Sequence, residues 1–179
     1  MASALVDVER LLSSAPALPL LRNEMRPAQE TCKLASQDPE TLFPGAPHSS
    51  AALAGVLLRL GCWDEAHTVA QDIGSVEGSY WHAIVHRMEP DPGNAAYWFR
   101  RVGHHPIFPD LLRRTQEILK NSVRVSWQLE EAWDPFLFID WCEEARRLGT
   151  HAIDVANKIQ MAEWEFLFEW CTRTGRAHT

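Results

Sequence analysis

Apolar residues recur along this chain mostly at steps of three and four, the spacing that lays one stripe along an α-helix. Leu5, Val8, Leu11 and Leu12 share a face in residues 2–14. Val76, Tyr80, Ile84 and Met88 do so over residues 76–89, at a four-residue step. Leu137, Trp141, Ala145 and Leu148 form a third face that ends at Gly149, and Thr150 opens the last and longest helix, striped by Val155, Ile159, Ala162, Phe166 and Trp170. Strict alternation, the mark of a strand, is visible only over Ser122–Trp127 (Val123, Val125, Trp127), short enough to lead into a helix.

Turn and cap residues divide these stripes into elements. Pro16, Pro19, Pro27, Pro39, Pro44 and Pro47 cut the first third into short pieces, and three prolines with a glycine make Gln37–His48 a loop. Ser49 or Ser50 can N-cap a helix over Ala51–Leu60, with Gly61 in the left-handed position after it. Asp64 starts the next helix, running to about Asp72 and closed by Gly74. Asp91-Pro92 and Asp134-Pro135 each supply an N-cap followed by proline at the first helical position, and the helix after Asp91 stops at Gly103. Loops this short fold neighbouring helices back on each other. The expected architecture is one all-α domain over residues 1–179, of about eight or nine helices in antiparallel hairpins, with no sheet of more than two strands. Residues 1–48 form a proline-rich segment packed on a helical core of 49–175. The segments LLRLGCWDEAHTVAQ and VHRMEPDPGNAAYWFRR both read helix, tight turn, helix, with Ala66 and Ala95 early in the second helix. They resemble tetratricopeptide-type repeats, although two units are visible where solenoids need three; the alternative is an irregular bundle.

Composition narrows the function classes. A formal charge of −7 lacks the basic footprint of a nucleic-acid binder. No run of 18 apolar residues is present to span a membrane. Cys32, Cys62, Cys142 and Cys171 show no C-x-x-C pair or short metal spacing. A disulfide is possible, but the spacing does not demand one. No secretory signal is readable at the N-terminus, so a reducing cytoplasm is the expected compartment. Eight tryptophans imply large core anchors, or a partly open aromatic surface that would suit a homodimer.

Residues 79–106 carry the candidate chemistry. His82 and His86 are four apart and Glu89 three further, so one helical face can present two imidazoles and a carboxylate to a transition-metal ion such as zinc, iron or manganese. His104 and His105 follow the next helix as further possible ligands. Ala83 stands where a zincin would carry its general-base glutamate. The structural alternative is that His82 and His86 border the face defined by Tyr80, Ile84 and Met88, hydrogen-bonded to neighbouring helices. Arg87, Arg100 and Arg101 suit an anion clamp; alternatively Arg87 pairs with Glu89 or Asp91, and the other two complement their helix dipole. Tyr80-Trp81 and Tyr97-Trp98 can stack across the hairpin or line a slot. Glu163, Glu165 and Glu169 read as a solvated face, whereas Asp140 lies among apolar neighbours in FLFIDWC. No G-x-S-x-G, phosphate loop or dinucleotide fingerprint is present.

The run YWHAIVHRMEPDPGNAAYWFRRVGHHPIF resembles the signature of an uncharacterised all-helical family of small soluble proteins, and WDPFLFIDWCE and EWEFLFEWC look similar to later parts of it. The resemblance spans roughly residues 50–171. It implies that Trp81, His82, His86, Arg87, Glu89, Asp91, Asn94, Tyr97, Trp98, Arg100, Arg101, His105 and Pro106 match motif positions, and it implies no activity. Two functions follow as expectations. The first is a helical binding module for a protein segment or small ligand, in a groove lined by Tyr80, Trp81, Arg87, Tyr97, Trp98, Arg101 and His105. The second is a metal-dependent, hydrolase-like enzyme using His82, His86 and Glu89.

Overall fold

A computed structural model describes residues 2–22, 27–122, 125 and 127–173. Among these residues ten α-helices follow one another: α1 (Ala2–Ser14), α2 (Gln29–Cys32), α3 (Pro39–Leu42), α4 (Ser49–Arg59), α5 (Trp63–Gln71), α6 (Val76–Met88), α7 (Pro92–Val102), α8 (Phe108–Lys120), α9 (Pro135–Leu148) and α10 (Thr150–Thr172). There is no strand among the described residues. The chain is all-α, as its periodicity requires. Val123, in the one alternating stretch, lies outside the described residues, as do Arg124 and Ser126; Ser122, Val125 and Trp127 are not in a strand.

Helix starts follow the expected chemistry where an aspartate precedes a proline. Asp91 accepts from the Asn94 amide and Asp134 from the Phe136 amide, each ahead of proline in the first turn. Asp38 does the same through the Glu40 amide, so Pro39 opens the single turn of α3 where a plain loop was expected. Gly61, Gly103 and Gly149 take positive φ values of 79°, 62° and 90°, which lets each chain turn follow a helix end at once.

Helix α6 is the centre of the molecule. It packs against α4, α5 and α7, while α10 closes the far side against α4, α8 and α9. The apolar stripe of Tyr80, Ile84 and Met88 is fully buried, but so are Trp81, Ala83 and Val85, so α6 buries nearly its whole circumference. Val76, at the head of that stripe, is exposed. Close approach is secured by small residues: Ala66 and Ala95 are buried in their hairpins, and Gly55 of α4 leaves its space to the Trp81 indole. The face drawn for α9 shifts, because Leu148 is exposed while Phe138, Ile139, Trp141, Cys142 and Ala145 are buried.

The proline-rich segment is fastened to this core. Leu18, Leu20, Leu42 and Phe43 are buried in it. The Arg22 amide donates to the Met88 carbonyl at 2.9 Å, and Gln160 Nε2 donates to the Pro19 carbonyl at 2.6 Å. Cys32 and Cys62 form a disulfide, a pairing the spacing left open. Closing a loop over a sequence separation of 30 is worth about 3–4 kcal/mol in the chain-entropy view. Such bonds are uncommon in reducing compartments, in contrast to the cytoplasmic expectation. No described helix is long and apolar enough to cross a membrane.

Candidate metal centre

Three imidazoles converge between α5 and α6. His82 Nε2 lies 2.9 Å from His67 Nε2 and 3.1 Å from His86 Nε2, and one ligand nitrogen of each falls within 4.8 Å of the others. The two α6 histidines share a face because they are four apart, with rings stacked at 4.7 Å. His67 arrives from the neighbouring helix, edge-on to both rings. The Trp98 indole of α7 covers His82, its ring centroid 4.0 Å away.

The arrangement is poorly served by hydrogen bonds alone. Each Nε2 has a single in-plane site, either a proton or a lone pair, so the central His82 cannot pair well with both neighbours. The buried Nδ1 atoms of His82 and His86 have no hydrogen-bond partner among the described residues. Burial first, then the neighbouring His67 and His86, push the His82 pKa down to about 3. Burial and His67 also lower that of His86, against the opposing pull of Glu89 and Asp91. Both rings are neutral near pH 7, the form that donates a lone pair to a metal. A tetrahedral zinc ion with bonds of about 2.0–2.1 Å sets its nitrogens roughly 3.3 Å apart. The two short edges are a few tenths of an ångström from that value.

Glu89 does not join the convergence. Its Oε2 stands 3.6 Å from His86 Nδ1, on the far side of the ring from the cluster, and its Oε1 accepts from Arg22 at 3.0 Å. At 3.6 Å the contact with His86 is electrostatic, too long for the hydrogen bond by which a carboxylate orients a ligand imidazole. His67 occupies the place the sequence reading gave to Glu89. The signal was present: Trp63, Ala66 and Ala70 are the buried residues of α5, and position 67 completes their i, i+3, i+4, i+7 stripe.

The other residues of the expected groove separate into two groups. Tyr80, Trp81, Arg87 and His105 are in the core, at 0–1% exposure, and reach no groove. Tyr80 Oη donates to Glu163 Oε1 at 3.0 Å. Arg87 pairs with Glu163, not with Glu89 or Asp91, and donates through Nε to Gln160 at 3.2 Å. Glu163 is itself fully buried, so the solvated face assigned to it is corrected. His105 packs edge-on against Tyr80 and Trp170 and accepts from the Ile107 amide through Nδ1; neither it nor the exposed His104 belongs to the three-histidine cluster. The second group is at the surface. Tyr97 is exposed, Trp98 is half-buried on His82, and the Arg101 guanidinium lies over the Trp98 ring at 5.2 Å. Trp81 faces Trp164, so the matched aromatic pairs neither stack on each other nor form one slot. Asp140 is exposed.

Comparison with family models, curated proteins and solved structures finds no significant match to this chain.

Proposed function

We propose that this protein is a helical metal-binding module that holds a zinc-class transition-metal ion through Nε2 of His67, His82 and His86. The observation that carries the reading is the convergence of three imidazole nitrogens from two helices, in a place where no set of hydrogen bonds satisfies them all. Imidazole sets suit zinc, copper, iron and nickel; without a carboxylate in the cluster, manganese fits less well. Glu89, held by Arg22, stands 3.6 Å behind the His86 ring and contributes its charge without a hydrogen bond.

Three protein ligands leave a tetrahedral ion one position for water or a small ligand. Trp98 packs on the His82 ring, and the Arg101 guanidinium over Trp98 brings a positive charge to the neighbourhood of the cluster, which suits a small anionic ligand. The count of three protein ligands, not four, also favours a second reading, a hydrolase-like activity in which the ion activates bound water.

Zinc titration of chelator-treated protein, followed by thermal melting, tests the proposal. At a hundredfold excess over Kd the ion stabilises the fold by about 2.7 kcal/mol. For a chain of this size that raises Tm by roughly 5–11 °C. His67→Ala abolishes the shift, whereas Glu89→Ala, which removes no ligand, leaves it measurable. No shift with zinc, copper or nickel overturns the proposal. Loss with Glu89→Ala but not with His67→Ala would restore the ligand set His82, His86 and Glu89.

A further inference from the structure

A cavity of about 360 Å³ opens beside the Cys32–Cys62 disulfide, walled by both cysteines and by Arg22, Trp63, Asp64 and Glu65. The two sulfurs are unequal. Cys32 is half-buried on a short helix at the cavity wall. Cys62 is 1% exposed and is the N-cap residue of the nine-residue α5. A thiolate at a helix N-terminus is stabilised by the first-turn amides and the helix dipole, which makes that sulfur the better leaving group. Of the nearby charges, Asp64 is paired with Arg22 at 2.6 Å, while Glu65 opposes ionisation of Cys62. Trp63, 4% exposed, also lines the cavity.

We propose that the Cys32–Cys62 disulfide is a thiol–disulfide exchange site for a small peptide thiol of the glutathione class. The thiol loses its proton to solvent, and its sulfur attacks Cys32 Sγ. The Cys32–Cys62 bond breaks, and its electron pair leaves on Cys62 Sγ. The products are a mixed disulfide at Cys32 and a Cys62 thiolate, one disulfide having replaced another with no net oxidation. A second equivalent of the thiol then attacks the mixed disulfide, releasing the oxidised thiol dimer and leaving the dithiol. The inference is independent of the metal reading, since none of its groups belongs to the three-histidine cluster.

Exchange is tested with millimolar reduced glutathione, chelator present, acid quenching and peptide mapping by mass spectrometry. The adduct is expected on Cys32, and Cys62→Ser with oxidised glutathione accumulates the same adduct. An adduct on Cys62, or no exchange in the folded wild-type protein, overturns the proposal.

Discussion

Replacing Glu163 by glutamine deletes one charge from the centre of the protein while nearly preserving shape. Arg87 is 1% exposed and Glu163 fully buried, so neither has water to fall back on. The guanidinium also lies 4.5 Å from the Phe138 ring, a weak substitute for a carboxylate. Glutamine still accepts from Tyr80 through its amide oxygen, but its NH2 group meets Arg87 as donor against donor. Removing one partner of a buried pair costs about 3–5 kcal/mol. Against a total stability of about 5–15 kcal/mol, that lowers Tm by roughly 6–20 °C for a chain of this length. Urea unfolding followed by helical circular dichroism measures the loss, and the single variants Arg87→Met and Glu163→Met with their double variant complete the comparison. Because it buries no charge, the double variant should lie closer to wild type than the sum of the two single losses. A single variant within about 1 kcal/mol of wild type, or strictly additive losses, would refute the account of the pair as a desolvated ionic lock.

Two other perturbations follow from the core. Burial is the main reason that His105 has its pKa lowered to about 4, with Glu77 opposing and His48 and His104 reinforcing the shift. The unfolded chain, with an ordinary value near 6.5, therefore takes up this proton first on acidification. The His105 contribution is complete above about pH 6.5 and is lost towards pH 4 with a slope of up to ~1.4 kcal/mol per pH unit. His105→Gln should flatten that part of the stability–pH curve, and an unchanged slope would exclude His105 as its source. Gly55→Ala would set a methyl group 2.6 Å from Trp81 Cζ2, so despite alanine's better helix propensity it should destabilise by about 1–3 kcal/mol; a rise in Tm would contradict this.

Local signals carried most of the secondary structure and little of the site. The Asp-Pro pairs at 91–92 and 134–135, and the glycines at 61, 103 and 149, act within a few residues of themselves, so they mark helix ends in any tertiary setting. Helix α8 has no such capping pair, and its N-cap is Ile107 without a side-chain bond. The partners of Arg87 were out of reach for a different reason: Glu163 lies 76 positions away, and its immediate neighbourhood reads as a charged surface. His82 and His86 were visible as a pair because helical spacing alone brings them together. His67 required knowing how α5 turns against α6. Glu89, nearer in sequence, faces the wrong nitrogen of His86.

The last helix has a consequence for how the chain comes into being. Trp164 Nε1 on α10 donates to the Gly55 carbonyl on α4 at 2.8 Å, across 109 positions, and the His48 amide donates to the Cys171 carbonyl at 3.2 Å. A nascent chain that has cleared the ribosome only as far as α9 holds helices α4 to α7 with neither anchor in place, and with the charge of Arg87 unmatched. Completion of this core thus waits for α10, and it should be slower than the local contacts of an up-and-down helical array would allow. Until α10 docks, the apolar sides of α4 and α6 are the surface on which a chaperone would act.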